Sequence, residues 1–239
     1  MKENNINKEI EILKSIQLPK KTNSYSPIAH FDILNKIKNY SPIHWKLMNY
    51  NIKLTNNGKQ LFGTVDFCTS GYNNLISIGF RNSYDKSVSA GFCAGSRVLV
   101  CSNLMFTGDI VKLRRHTINI VKDLDIIIKE IISYGEKNAK QLKNDMRLFQ
   151  SIKINNKEAA EIIGDAFFNI NIFNSSQVNV IKKGWIFGDY SKNNGLNEVC
   201  KQRTLYSLYQ ACTHALKSSR PNTILNNYTK LHKYFINLN

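Results

Sequence analysis

Apolar residues recur at helical spacing near both ends of the chain and alternate with polar residues in its middle. Residues 3 to 16 carry isoleucine or leucine at every third or fourth position, which predicts a short N-terminal helix that ends before Pro19. A second apolar set begins after Pro27 and stops at Pro42. It predicts another helix of about three turns.

The period changes from Tyr50 onward. Residues 51–55 and 59–68 alternate around an Asn56-Asn57-Gly58 turn, as a β-hairpin does, because Asn and Gly readily adopt positive φ. Three further runs, at residues 75–80, 87–93 and 97–101, are typical of strands. The middle of the chain therefore predicts an antiparallel sheet of about four to six strands.

The pattern after Gly108 indicates a long helix, broken near Gly135, that covers the apolar side of the sheet. Four more helices are predicted at residues 157–168, 176–183, 199–217 and 223–238, the first of them capped by Asn155 or Asn156. The fold class is therefore α+β, with flanking N- and C-terminal helices. We expect residues 1–150 to form the α+β core and 151–239 a helical C-terminal region.

The chain is strongly basic. Its 239 residues include 33 Lys and Arg against 17 Asp and Glu, a net charge of +16. The excess is spread along the chain, so a basic face assembled from several elements is expected instead of a basic tail. Such a balance favours a polyanionic partner, although an AT-rich genome would also raise the lysine content.

Cysteine usage and hydropathy bear on the compartment. Five cysteines without a CxxC pair indicate reduced thiols, and we expect a cytoplasmic protein of a host cell. The N-terminus is charged and amphipathic, and no stretch is apolar enough to span a membrane. We therefore expect a chain that is neither secreted nor bound to a membrane.

The most informative segment is a polar run between two predicted strands. A reversal needs only one or two turn residues, so this run carries more hydrogen-bonding groups than turn geometry requires. Its cationic and amide side chains suit phosphate oxygens. The run consists of Arg81, Asn82, Ser83, Tyr84, Asp85, Lys86 and Ser87. In the alternative, Asn82 and Asp85 shape the turn and Arg81 pairs with Asp85 on the surface.

Further candidates for anion binding follow along the chain. They are Arg97, Asn103, Lys112, Arg114, Arg115 and His116. The last four lie just before or at the start of the predicted long helix, where the macrodipole disfavours cations but free N–H groups would favour a bound anion. Together with the polar run they predict a basic groove for nucleic acid or another anion. A solvated charge run is the alternative explanation.

Catalytic and metal sites are weakly indicated. The spacing of Cys93, Cys101 and His116 matches no zinc pattern. A catalytic triad could be composed of Ser83 or Cys101 with His116 and Asp85, but no sequence motif supports it. No nucleophile-elbow, Walker or HExxH motif is present. We expect no cofactor and no metal, and an enzyme is the minority interpretation.

Aromatic residues accompany the predicted sheet. Those on an open face beside Arg and Lys would form a stacking platform for bases, although alternate residues must face the core. Tyr84 is the best candidate for an exposed ring.

Several segments resemble a family of uncharacterised phage- and plasmid-associated proteins that share a domain of unknown function. The resemblance covers residues 25 to 135. Its segments are SIGFRNSYDKS at 77–87, GSRVLVCSNL at 95–104, FTG at 106–108, RRHT at 114–117, PIAH at 27–30 and GKQLFG at 58–63. It implies a viral or mobile-element setting without an established reaction. Tyr84 and Ser102 stand where relatives are expected to carry His and Asp, which weakens the case for an enzyme.

The preferred hypothesis is a nucleic-acid-binding protein of a phage or mobile element, with DNA as its expected partner. A sheet followed by a long helix is also the build of phage single-strand annealing proteins, so single-strand binding or annealing in replication or recombination is one form of it. The alternative is a counter-defence protein that docks a host protein or holds a small anionic nucleotide. A hydrolase acting through Asp85, His116 and a metal is the third hypothesis, and a homo-oligomer is left open.

Overall fold

The computed structural model describes residues 10–69, 74–98, 104–188 and 201–238, with residues 74, 96–98 and 104–111 described by their backbone alone. Residues 10–15 are helical. The remaining elements are α1 (His30–Tyr40), β1 (Lys46–Thr55), β2 (Gln60–Cys68), β3 (Asn74–Ser83), β4 (Ala90–Val98), β5 (Leu104–Arg114), α2 (Ile120–Ser133), α3 (Gly135–Ser151), α4 (Asn156–Phe168), α5 (Ser175–Phe187), α6 (Leu205–Leu216) and α7 (Ile224–Ile236).

The five strands form one antiparallel sheet in the order β1-β2-β3-β4-β5, so each strand pairs with the next in sequence. The predicted α+β class and strand number are confirmed. The β1–β2 turn also lies where it was predicted: Asn56 and Asn57 have φ of 53° and Gly58 has φ of 82°. These are left-handed conformations that Asn and Gly adopt at the lowest cost.

The prediction of helix directly after Gly108 is wrong. Residues up to Arg114 belong to β5, which pairs with β4 through Phe92↔Lys112 and Ala90↔Arg114. Helix α2 begins only at Ile120. Spacing alone cannot separate helix from strand here, because the strand conformation depends on hydrogen bonds to β4. The predicted strand at 97–101 overlaps the end of β4, and its residues 99–101 lie outside the described residues.

The break near Gly135 is confirmed, since α2 ends at Ser133 and α3 starts at Gly135. Because Gly135 has no side chain, the ring of Trp45 can pack directly against its backbone. A Cβ at this position would lie 2.3 Å from the Trp45 ring and 3.2 Å from Ile76. A larger residue would therefore push α3 away from the sheet.

The two faces of the sheet differ in polarity. On one face Ile76, Ile78 and Phe80 of β3 pack with α1 and α2 in an apolar cluster. The opposite face carries buried polar groups: the Asp66 carboxylate accepts a hydrogen bond from the Ser77 hydroxyl at 2.6 Å. The C-terminal helices pack over this second face.

The buried apolar side chains form two clusters. One joins the N-terminal segment, α1, the first face of the sheet and α2, and the other joins α4 to α7. Helix α3 contributes to both, with Ala139 in the first and Leu142, Met146 and Phe149 in the second. A domain boundary between residues 150 and 151 stays a prediction.

Candidate functional site

Segments that the sequence singled out meet at one end of the sheet. The Asn82 amide nitrogen donates to the Ile28 carbonyl at 2.8 Å and contacts Nδ1 of His30 at 3.0 Å. Its oxygen lies 2.6 Å from Nε2 of His116. All these side chains are buried. We call His30, Asn82, Tyr84 and His116 the histidine–asparagine cluster.

The hydrogen bonds of this cluster define its protons. The Ile28 carbonyl only accepts, so the NH₂ group of Asn82 must face it and Nδ1 of His30 must also accept. Nε2 of His30 then carries the proton that it donates to the Gly58 carbonyl, 3.0 Å away. Because the Asn82 oxygen accepts, Nε2 of His116 is likewise protonated. The donors of Asn82 are fully used within the protein.

Both imidazoles favour the neutral form. Burial lowers the pKa of His30 to about 4; the hydrogen bond to Gly58 opposes this shift and the neighbouring His116 adds to it. Burial also lowers the pKa of His116. The cluster is thus uncharged at neutral pH.

Tyr84 is buried, which corrects the expectation of an exposed ring. It stacks on the His30 ring with centroids 3.9 Å apart and planes 4° from parallel. Its hydroxyl accepts a hydrogen bond from the His30 backbone N–H at 2.8 Å. Four other aromatic rings of the sheet lie in the core, as expected for residues that face inward: Phe62, Phe67, Phe80 and Phe92.

Asp85 organises the β3–β4 turn. Its carboxylate accepts hydrogen bonds from the Ser87 backbone at 3.0 Å, the Ser87 hydroxyl, Asn56 at 2.8 Å and Gln60 at 2.9 Å. Partial burial would raise the pKa of Asp85, but these hydrogen bonds outweigh it and hold the pKa well below its usual range. Asp85 therefore shapes the turn, and its hydrogen-bond partners do not include Arg81.

The other turn residues are also engaged locally. The Ser83 hydroxyl donates to the Val88 carbonyl at 2.8 Å and accepts from its N–H at 3.1 Å. Lys86 has φ of 64°, and its ammonium lies 4.6 Å from the centre of the Tyr25 ring. Only Lys86 and Ser87 of the polar run are exposed.

Arg81 lies on the opposite face of the sheet from Asn82, because successive strand residues alternate. Its guanidinium donates to the Asn222 carbonyl, in the connection between α6 and α7. On the same face, Lys53 donates to the carbonyls of Lys217 and Ser219 at 3.3 and 2.8 Å. These two cations hold the α6–α7 connection against the sheet. Burial lowers the pKa of Arg81.

The cations at the end of β5 are partly neutralised. Lys112 pairs with Glu130 at 2.8 Å and Arg114 with Asp123 at 2.6 Å, both on α2. Arg115 is exposed. The side chain of Arg97 and the whole of Asn103 lie outside the described residues. The structure thus brings Asn82 and His116 together, joins Asp85 to Ser87, and separates Arg81 from both groups.

A second basic feature was missed by the sequence reasoning. Helix α3 carries Lys137, Lys140, Lys143 and Arg147, and among the described residues no carboxylate pairs with any of them. Lys137, Lys140 and Arg147 are exposed and Lys143 is half-buried. Their spacing of three, three and four residues places them along one side of the helix. That spacing is readable in the sequence and could have found them.

The two acids of α3 are engaged elsewhere. Glu136 accepts hydrogen bonds from His44 at 2.7 Å and Trp45 at 2.9 Å. Asp145 contacts Nε2 of His232 at 3.0 Å and is buried. The exposed side of α3 is therefore cationic. We call Lys137, Lys140, Lys143 and Arg147 the α3 basic stripe.

Metal and membrane sites receive no support from the described parts of the chain. Within those ranges, no group of three or more His, Cys, Asp or Glu is placed to hold a metal ion. No helix there is both long and apolar enough to cross a membrane. Asp85 and His116, the acid and base of the hydrolase hypothesis, bind separate partners.

The chain matches no protein-family model, and no curated protein or solved structure is significantly similar to it. The resemblance of residues 25 to 135 to phage- and plasmid-associated proteins stays a prediction. Its segments do share contacts: PIAH meets the Asn82 segment at Ile28 and His30, and RRHT meets it at His116.

Proposed function

We propose that the protein binds nucleic acid through the phosphate backbone, using the α3 basic stripe as its main contact. The observation that carries this proposal is the row of four cations without carboxylate partners among the described residues. From Lys137 to Arg147 the helix rises about 15 Å. A nucleic-acid strand presents a phosphate about every 3.4 Å along a duplex, so the stripe spans four or five phosphates.

Contacts to phosphate suit this surface better than base stacking. The sheet aromatics whose side chains are described are buried, so they offer no platform for unstacked bases. Lysine and arginine on an exposed helix bind the backbone without reading sequence. Both duplex and single strand should therefore bind, the duplex at least as tightly because its phosphate charge density is higher. Single-strand annealing in a phage or mobile element remains a narrower form of this proposal.

The alternative, a host-protein or nucleotide site at the polar turn, has less to support it. Most polar groups of the turn are bonded within the protein, and Lys86 and Ser87 alone are exposed. A thermal-shift screen of nucleotides would detect a specific ligand, because binding stabilises the folded state by mass action.

The proposal is tested by fluorescence anisotropy of a short labelled duplex and of its single strand. The variant is Lys137→Gln/Lys140→Gln. The control is Lys38→Gln/Lys183→Gln, which removes two exposed lysines from other helices and lowers the net charge equally. We expect the α3 variant to bind each probe about ten-fold more weakly and the control to change affinity about two-fold or less. Equal losses in both variants would mean that only net charge matters, and would refute the α3 site.

A further inference from the structure

Helices α4 and α5 enclose an apolar groove whose described lining includes no residue of the α3 basic stripe. The indole of Trp185, near the end of α5, donates to the Asn156 side chain at 3.0 Å, at the start of α4, so the two helices run in opposite directions. The groove between them has a volume of about 460 Å³. Its floor includes Ile163, Ile181 and Leu208. This volume falls in the range of small-molecule sites.

The groove offers few hydrogen-bonding groups. The Asn156 side chain already accepts from Trp185, and the other lining residues are apolar except for Lys182. Lys182 is exposed, and no carboxylate in the described ranges pairs with it. A ligand that enters this groove must therefore bury an apolar body, since an unpaired polar group would cost free energy there. At the rim of the groove, Lys182 can pair with one negatively charged group of such a ligand.

Gly164 keeps one wall of the groove open. It lies inside α4, where glycine costs about 1 kcal/mol relative to alanine. A Cβ at this position would meet no atom within 4 Å, so close packing does not require the glycine. At the end of α4 the Phe168 side chain, which also lines the groove, is 75% exposed. The absence of a side chain at Gly164 leaves space in the groove, and the exposed Phe168 ring offers an apolar surface to a bound ligand.

We propose that this groove binds a free single-chain carboxylate, such as a fatty acid, with the alkyl chain along the groove and the carboxylate against Lys182. Lys182 is the one cation among the described residues that line the groove. The nearby Arg203 donates to the carbonyls of Trp185 and Ile186. A ligand with one apolar chain and one negative charge suits this lining. A nucleotide or an extended peptide would bring backbone or ring polar groups that the lining cannot satisfy. This activity is separate from nucleic-acid binding and depends on different residues.

The test uses decanoate, decanol and decyltrimethylammonium below their micelle concentrations, with binding followed by calorimetry and by tryptophan fluorescence. Trp185 lines the groove and serves as the reporter. We expect saturable binding of decanoate, weaker binding of decanol and the weakest binding of decyltrimethylammonium.

Two pairs of variants locate the site. Lys182→Gln should weaken decanoate binding about three-fold, as an exposed ion pair does, whereas the adjacent Lys183→Gln, which does not line the groove, should leave it unchanged. Gly164→Leu should weaken binding about ten-fold or more by filling the groove, and Gly164→Ala much less. Ala160→Leu gives a second filled groove if Gly164→Leu folds poorly.

Several results would overturn the proposal. Equal binding of the cationic and anionic probes would exclude the role of Lys182, and unchanged affinity in folded Gly164→Leu and Ala160→Leu would exclude the groove. Binding to phosphatidylglycerol vesicles without binding of free decanoate would mean a membrane surface instead. A dimer in solution that Gly164→Leu dissociates, with no decanoate binding, would assign the groove to a second copy of the chain.

Discussion

Asn82 joins three parts of the chain through one side chain. Its amide bonds to Ile28, His30 and His116, so its removal leaves a buried carbonyl and two imidazole nitrogens without partners. The sequence shows that this residue is polar, but it does not show which groups its amide bonds to. In a strand, neighbouring residues face opposite sides, so Arg81 and Asn82 serve different contacts although they are adjacent.

The first prediction concerns this side chain. Asn82→Ala should lower the free energy of unfolding by about 3 kcal/mol, because each unsatisfied buried group costs about 1 kcal/mol or more. Urea unfolding followed by circular dichroism measures the change. Asn35→Ala, at an exposed position on α1, should change stability by less than about 0.5 kcal/mol. A loss at Asn82 no larger than that of the control would mean that the cluster contributes little.

The second prediction concerns pH. The pKa of His30 is about 4 in the folded chain, against about 6.5 when unfolded, so between these values only the unfolded chain binds the proton. The stability from neutral His30 is therefore complete above pH 6.5 and declines as the pH falls towards 4, by up to about 3 kcal/mol. Urea midpoints at pH 7, 5.5 and 4.5 follow this decline.

His30→Gln provides the comparison, since its amide can still donate to the Gly58 carbonyl but does not titrate. It should be less stable at pH 7 and lose less stability on acidification. His116, whose pKa is also lowered, accounts for part of the remaining slope. The same pH dependence in wild type and variant would show that His30 does not titrate as argued.

Among the elements, the β3–β4 turn was predicted to bind an anion, which stays a prediction. Most of its polar groups are bonded within the protein. Hydrogen bonds from Asn56, Gln60 and Ser87 to Asp85 tie this turn to the β1–β2 hairpin. The run therefore contains more hydrogen-bonding residues than a simple reversal needs because it connects two turns. A single sequence does not reveal that second turn as its partner.

The third prediction follows from this geometry. Asp85→Ala should lower the free energy of unfolding by about 2 kcal/mol and leave DNA affinity within about two-fold of wild type. Asp32→Ala removes an exposed carboxylate from the first turn of α1 and should cost less than about 1 kcal/mol. Unfolding by urea and duplex anisotropy on the same preparations give both values. A stable Asp85→Ala protein that has lost DNA binding would restore the turn as a binding site.

Element type was predictable where local chemistry determines it. Asn155, one of the two predicted caps, caps α4, and Pro42 follows the end of α1 as predicted. Strand β5 was not predictable in this way, because its conformation depends on pairing with β4 and on α2, whose Asp123 and Glu130 neutralise Arg114 and Lys112. Long-range partners decide such segments.

Across the whole molecule, some of the cationic side chains have bonding partners among the described residues and others do not. Some cations are engaged with carboxylates or backbone carbonyls, among them Lys53, Arg81, Lys112 and Arg114. The α3 basic stripe has no carboxylate partner among the described residues. The basic face predicted at the polar run and at residues 112–116 stays a prediction, and the structure shows that two of its cations, Lys112 and Arg114, are paired with carboxylates of α2. Residue type alone does not show which cations are neutralised by neighbours distant in sequence.

The most direct test of the α3 site is the salt dependence of duplex binding. Each phosphate contact adds about 0.9 to the slope of log Kobs against log salt concentration. We predict that Lys137→Gln/Lys140→Gln lowers this slope by about 1.8, whereas Lys38→Gln/Lys183→Gln leaves it within about 0.5 of wild type. A wild-type affinity that does not fall with salt, or equal slopes in the two double variants, would contradict nucleic-acid binding through α3.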